Sequence, residues 1–415
     1  MNKVKPDATI PGQAYPEVRF AVMSDLHFFA AELAKPGTAL DSATEYADTM
    51  FVESEALLEL AISEILKADV QFVLIPGDLT KDGEAESHQQ LPTRLARLAE
   101  NGVQVYVIPG NHDMNNPRSY RYEGDQRILS ENISPEKFAE LYAPYGYDQA
   151  ILRDEGSLSY AAELTEGLWL IAVDCTRSRF NKPGCEEIVA GRLTPATRDW
   201  LRNALQQARN QQKKVLYMQH HGVVEHWQGQ AKLHPDFIVE DFGAIGRILA
   251  AGGVRLAFTG HYHALDITRA DFGDDGFLYD IETGSLAAPP CAVRICSLSG
   301  NQLKLTSLRL AELYQPETGF AERAGNVIRE SVRQHTIKAA RTYKVPVSDA
   351  DYIADQIAAA YQAHYYGDEN PALRPAFSTK RLSLWGKLVY QSQKYIIENL
   401  WRDLPPADDN ITLEL

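Results

Sequence analysis

The 415-residue chain holds only four cysteines, and none of them are spaced as Cys-x-x-Cys. That argues against a dithiol redox motif and against a thiolate-built metal site. The four form two close pairs, Cys175 with Cys185 and Cys291 with Cys296. Each pair is open to two readings, a disulfide in an oxidising compartment or free thiols in a reducing one. Long apolar runs are missing too. No stretch reaches the roughly 18 residues a membrane-spanning helix needs, so no transmembrane segment is expected. The opening "MNKVKPDATIPGQAYPE" lacks the apolar stretch of a signal peptide and reads as a flexible arm over residues 1–16. Localisation stays open: cytoplasmic if this is the full-length chain, exported if a signal has been removed. Positive charge is also short, with 41 Lys and Arg against 56 Asp and Glu and a net charge of -15. This balance works against non-specific binding to nucleic acid or to anionic membranes, and no nucleic-acid partner is expected. Internal repeats and low-complexity tracts are absent, and nothing in the pattern specifies an oligomeric state.

What is present is a strand–helix–strand rhythm. The runs "EVRFAVMSDLH" (17–27), "DVQFVLIPGDLTKDG" (69–83) and "VQVYVIPGNHD" (103–113) each pass from apolar residues into a polar turn. Helical spacing separates them, at 50–68 and 90–102. Further strands are expected at 168–175, 213–221, 253–263 and 277–285, with a hairpin over 292–310 turning at "SGN". Two helices open on a hydroxyl cap followed by Pro, at Ser134 and Thr194. Strands this dense in Val, Ile and Phe are covered on both faces, which points to an α/β layer structure. After about residue 310 the grammar turns helical. Ser348 and Asp351 form an expected capping box before Ile353, Ile357 and Tyr361. A later helix within 378–401 is expected to bury Trp385, Leu388, Ser392, Ile396 and Leu400 on one face. The division expected is an arm (1–16), a first domain (17–310) and a smaller all-helical C-terminal domain (311–415).

Five of the apolar runs end in residues able to bind metal. They supply Asp25 and His27 in "SDLH", Asp78 in "PGD", Asn111 and His112 in "GNHD", His220 and His221 in "MQHHG", and His261 and His263 in "TGHYH". In open α/β sheets ligands bind beyond the carboxyl ends of the strands, which is where these residues fall. Asp, Asn and His offer oxygen and nitrogen, a donor set suited to Zn²⁺, Mn²⁺ or Fe. In extended chain, residues i and i+2 point the same way, so Asp-x-His and His-x-His can each address one site. Each fragment alone is an ordinary turn. Their conjunction in this order is the signal.

The ordered set "SDLH", "PGDLTKDG", "GNHD", "QHH" and "GHYH" over residues 17–285 resembles the calcineurin-like metallophosphoesterase superfamily. It looks most similar to bacterial cyclic-nucleotide phosphodiesterase-type members, one group of which has a helical C-terminal domain. The resemblance implies a four-layer αββα sandwich of two mixed sheets flanked by helices. It implies two transition-metal ions, of identity left open among Mn, Fe and Zn. Asp25, His27 and His263 would hold one, Asn111, His220 and His261 the other, and Asp78 would bridge them. His112 would be the catalytic group, steadying the transferring phosphoryl and protonating the leaving oxygen. Asp113 would brace the turn through backbone N–H groups. Hydrolysis would run by in-line attack of a metal-activated hydroxide. One departure is Gly222, where relatives usually place Pro after the His doublet. A second is the absence of the "GDxVDRG" and "GNHE" patterns of the protein phosphatases. It favours a small phosphodiester substrate, such as a cyclic nucleotide, over a phosphoprotein. A broad phosphomonoesterase or nucleotidase is the alternative enzyme, and a metal-stabilised, non-catalytic interaction module the alternative outside catalysis. Candidate substrate contacts are Arg118 and Arg121 in "NNPRSYRYEGD", His221, and Tyr46 in the loop 28–50.

Overall fold

The computed structural model describes residues 14–45 and 47–415. Most of the expected arm, residues 1–13, and Tyr46 lie outside the described residues. Tyr15 and Pro16, also placed in the arm, instead begin the first strand.

Along the chain the strands are β1 (Tyr15–Val22), β2 (Phe72–Ile75), β3 (Gln104–Val107), β4 (Tyr120–Glu123), β5 (Gln126–Leu129), β6 (Ala150–Arg153), β7 (Tyr160–Thr165), β8 (Leu168–Val173), β9 (Lys214–Gln219), β10 (Leu256–Thr259), β11 (Asp266–Asp271), β12 (Phe277–Glu282), β13 (Ala292–Gly300), β14 (Gln302–Arg309) and β15 (Ile411–Glu414). Six form one sheet in the order β15-β14-β13-β1-β2-β3, and seven form a second in the order β11-β12-β10-β9-β8-β7-β6. Strands β4 and β5 make a separate hairpin. Both large sheets are mixed, with parallel centres: β1-β2-β3 in the first and β8-β9-β10-β12 in the second.

The layering follows from side-chain alternation. In β9, Leu216 and Met218 join the core shared with the first sheet, while Val215 and Tyr217 face the helices Pro195–Asn210 and Phe242–Ala251. In β10, Leu256 and Phe258 point one way and Ala257 the other. The first sheet is covered on its far side by Ser54–Lys67 and Ala85–Glu100. The result is the four-layer αββα sandwich. The sheets meet where Phe20 of β1 takes the ring of Phe258 edge-on at 5.5 Å and stacks on Phe72 at 4.9 Å. Phe258→Ala empties this fully buried contact. It is expected to lower unfolding free energy by about 3–5 kcal/mol, read from the shift in urea midpoint.

Several local expectations hold. Ser134 Oγ accepts from Lys137 N at 3.2 Å and Thr194 Oγ1 from Thr197 N at 3.1 Å, each before a helix-opening Pro. The 292–310 hairpin turns at Asn301. Others need correction. The helix expected from 90 starts at Ala85 and carries Pro92 inside it. The helix Val347–Tyr366 starts after Pro346, so Ser348 lies within it and caps nothing. In Leu384–Leu400 the buried face is Gly386, Tyr390, Ile397 and Leu400, whereas Trp385 and Leu388 are exposed. That face is set by close packing, since a Cβ on Gly386 would collide with Asp349. The C-terminal region is helical from Leu310 to Leu400 except for its connections, and then leaves the helices to add β15 to the first sheet. Among the described residues all four cysteines are free thiols, and no helix is long and apolar enough to cross a membrane.

Candidate functional site

The parallel strand centres of the two sheets bring their carboxyl ends to one edge. The loops after β1 and β2 run side by side: Asp25 N donates to Gly77 O and His27 N to Asp78 O, each at 3.1 Å. The loop after β10 is tied to both sheets. His261 N donates to the Asp25 carboxylate (3.1 Å to Oδ2), and Gly260 N donates to His220 O at 2.9 Å. These backbone ties fix where each polar side chain can point.

Two buried groups of donor atoms result, Asp25–His27–His263 and Asp78–His220–His261. In the first, His27 Nε2 and His263 Nε2 face each other at 3.1 Å, with Asp25 Oδ1 3.4 Å from the latter. Two ring nitrogens at that distance need a shared proton or cation between them. In the second, His220 Nδ1 donates to Pro76 O at 2.8 Å, which turns Nε2 toward Asp78 Oδ2 at 3.2 Å and Asn111 Oδ1 at 3.1 Å. His261 donates from Nε2 to Asp236 O at 3.0 Å, leaving Nδ1 for the cluster. Asp78 Oδ2 is also 4.0 Å from His27 Nε2, so this one carboxylate stands between the groups.

The electrostatics divide the ligand set. Burial would raise the Asp78 carboxyl, but His220, His112 and His27 outweigh it and hold it well below the ordinary range. Burial holds His27 down to about 4 against the pull of Asp78. Burial, with His221 and His220 beside it, holds His261 well below its usual value. His220 and His263 go the other way: against burial, Asp78 lifts His220 to about 9 and Asp25 raises His263, so at these two rings a metal would take the place of a proton.

Strain is concentrated here as well. Asp25, His27, Asp78, His261 and His263 all hold positive φ, between 40° and 77°. For a residue with a Cβ this left-handed region costs about 1–2 kcal/mol. The surrounding hydrogen bonds over-determine the geometry. Gly110 is needed for a different reason: a Cβ there would fall onto the Asp78 carboxyl and backbone nitrogen.

His112 is set apart from both groups. Its Nδ1 is 2.9 Å from Asp82 Oδ1 and its Nε2 is 4.0 Å from Asp78 Oδ2, with about a quarter of the side chain exposed. Burial would lower its pKa, but Glu187, Asp78 and Asp82 raise it well above the usual imidazole value. Asp113 points back into the turn, accepting from Gly110 N at 2.8 Å and Thr80 N at 2.9 Å.

Of the expected substrate contacts, Arg118 reaches the edge of the cluster through Glu187 at 4.0 Å and is exposed. Arg121 faces Glu123 instead, at 3.5 Å on the β4–β5 hairpin. His221 is corrected: it is fully buried, with Nε2 on Val189 O at 2.8 Å and Nδ1 on Cys175 Sγ at 3.3 Å. Both ring nitrogens are engaged, and its ring backs His261 at 4.1 Å. Tyr46 lies outside the described residues. The sequence reading missed Asp82 and Glu187. Asp82 stands inside the quoted "GDLTKDG", four residues from Asp78. Glu187 comes from an irregular loop and donates no pattern, yet it accepts from Asn111 Nδ2 at 2.9 Å.

A family model described as calcineurin-like phosphoesterase matches residues 18–265. The chain belongs to that family. Calcineurin-like phosphoesterases are metal-dependent phosphoester hydrolases with a dinuclear centre, and this chain holds two adjacent candidate ligand groups. No curated protein matches the chain. Among solved structures it is similar to a dimetal phosphatase from Danio rerio, at 16% identity and TM-score 0.49, over 71% of this chain and 96% of that one. It is also similar to a purple acid phosphatase from yellow lupin (Lupinus luteus) seeds, at 13% identity and TM-score 0.41, over 73% of this chain and 53% of that one.

Proposed function

We propose that this calcineurin-like phosphoesterase is a dinuclear-metal-dependent phosphodiesterase for a small diester, with a cyclic nucleotide as the leading candidate. One observation carries the metal reading. His220 Nε2, Asn111 Oδ1 and Asp78 Oδ2 converge although Asn111 spends its amide donor on Glu187 and His220 its Nδ1–H on Pro76. With His220 neutral these acceptors meet without a donor, so either a second ring proton, which Asp78 favours by lifting His220 to about 9, or a cation must join them; the donor set suits the cation. Asp25, His27 and His263 would hold one ion and Asn111, His220 and His261 the other, with Asp78 between. Nitrogen and oxygen donors without sulfur suit Mn, Fe or Zn. When bound, such a pair supplies positive charge for the phosphoryl oxygens and lowers the pKa of water.

The chain's own part falls to His112. Asp82 fixes the ring through Nδ1–H, so Nε2 is the atom that offers a proton to the departing ester oxygen. A cavity of about 570 Å³ lies beside the ligand loop, lined mostly by the C-terminal helices and by none of the donor residues themselves. Phe237, Tyr262, Tyr361 and Tyr365 line it. The Phe237 ring packs on His261 at 5.1 Å and Tyr365 on His263 at 6.3 Å. Aromatic walls and this volume suit one flat organic group. No arginine stands where the protein-phosphatase pattern carries one.

The test is a comparison of two synthetic esters after Mn²⁺ reconstitution. Bis-para-nitrophenyl phosphate is expected to be hydrolysed at least about tenfold faster than the mono-ester, with both rates abolished by EDTA. A dominant mono-ester rate would replace the diesterase reading with a phosphomonoesterase. No hydrolysis of either would favour the non-catalytic module.

A further inference from the structure

A second polar cluster lies under the same loop, on the side of the C-terminal helices. Asp266 opens β11, three residues beyond His263. His364 stands in the last turn of the helix Val347–Tyr366, and Glu369 follows that helix. His364 Nδ1 is 2.5 Å from Glu369 Oε1 and 3.7 Å from Asp266 Oδ2. One donor atom from each of the three lies within 4.8 Å of the others. All three residues are buried, and the Tyr262 ring packs on His364 at 5.3 Å.

We propose that Asp266, His364 and Glu369 form a separate binding site for a divalent first-row transition ion, which pins the C-terminal helices to the second sheet. Three observations carry it. First, two buried polar atoms here lack hydrogen-bond partners, His364 Nε2 and Glu369 Oε2, and the neighbouring Glu282 Oε2 has only His226 Nε2, at 3.5 Å. Such orphans are rare in native interiors and call for an unplaced partner. Second, the local charge closes only if buried carboxyls stay protonated. Asp266, Asp280, Glu282, Glu369 and Asp408 are buried together with only Arg294, His226 and His364 as cations. Arg294 spends its N–H groups on the carbonyl oxygens of Asp266, Glu282 and Asp408 and on Ser307 Oγ, not on a carboxylate. Five ionised carboxylates would outnumber the three cations by two; burial instead pushes Asp408 up to about 10, so neutral carboxyls close the balance until a divalent cation lets them ionise. Third, the donors already have outer partners of the kind metal ligands need. His226 Nδ1 holds Asp266 Oδ1 at 2.6 Å, and Thr268 Oγ1 donates to the same oxygen at 3.0 Å. Burial also pushes Glu282 up to about 8, the stress a nearby cation would relieve.

One nitrogen and two carboxylates suit Zn²⁺ or Mn²⁺. Asp266 comes from the sheet, and His364 and Glu369 from the C-terminal region. An ion between them would act as a cross-link whose formation depends on both being folded. It does not depend on the catalytic reading, because its ligands are not those of the proposed dinuclear centre.

The experiment uses the full chain, stripped with EDTA, reloaded with Zn²⁺ and dialysed. Zinc per chain is measured by mass spectrometry for the native protein, Glu369→Gln and His364→Ala. Each variant is expected to hold one equivalent less than the native protein. Anomalous scattering at the zinc edge from native crystals is expected to show a peak among Asp266, His364 and Glu369. Equal zinc content in all three proteins, or no peak at that place, overturns the proposal and leaves protonated carboxyls as the explanation. If a variant fails to fold, the native anomalous map alone decides.

Discussion

His112→Ala is expected to lower turnover by about 10²–10⁴-fold while leaving metal content close to that of the native protein. The separation of the two readouts comes from geometry. His112 Nδ1 is bound to Asp82, and its Nε2 stands 4.0 Å from the nearest oxygen of the carboxylate between the two donor groups. It belongs to neither donor group. Removing the ring takes away the proton donor and leaves every converging donor atom in place. Turnover on bis-para-nitrophenyl phosphate, whose leaving group needs little protonation, should suffer least. A diester with an alkyl leaving group should suffer most. Metal content measured on the same sample decides the matter: if it falls with activity, His112 holds the centre together and is not its acid.

Gly110→Ala should abolish both metal retention and hydrolysis. The new Cβ would fall onto the Asp78 carboxyl and its backbone nitrogen, so the loops after β2 and β3 could no longer lie together. Asp78 reaches both donor groups, and Gly110 N also donates to Asp113, which braces the turn. The substitution is small, and helical and strand content should barely change by circular dichroism. Normal activity in a folded Gly110→Ala protein would show that the two loops have slack that the close approach denies.

The strands of the sheet centres and the place of these donor atoms at their ends were readable because both depend on local rules. Apolar runs of four to eight residues mark covered strands, and a polar residue directly after such a run has to lie at a strand end. Asp25, Asp78, Asn111, His220 and His261 all obey that rule. Glu187 does not. It sits in a loop without periodicity, and its partner Asn111 is 76 residues earlier, so only the folded chain joins them. The C-terminal helices were harder for another reason. Hydrophobic spacing put Trp385 and Leu388 inside, but Leu384–Leu400 packs through Gly386, where backbone can approach Asp349 closely. Trp385 stays exposed and donates its Nε1–H to Tyr343 O at 3.0 Å. The expected cap at Ser348 failed because the chain enters that helix from Pro346, and the true side-chain cap nearby is Ser383, on Gly386 N at 3.0 Å.

Strand β15 has a practical meaning for anyone dividing this protein. It is four residues long, and all of them pair with β14. Cutting the chain after the hairpin, to isolate the phosphoesterase half, would remove the cover from β14 along with the helices. Leu303 and Leu305, fully buried in the intact chain, would then flank an open row of N–H and C=O groups. A bare edge of this kind recruits a strand from another molecule. A shortened protein would self-associate, and the remedy is to graft residues 411–414 back beside β14 with a short linker.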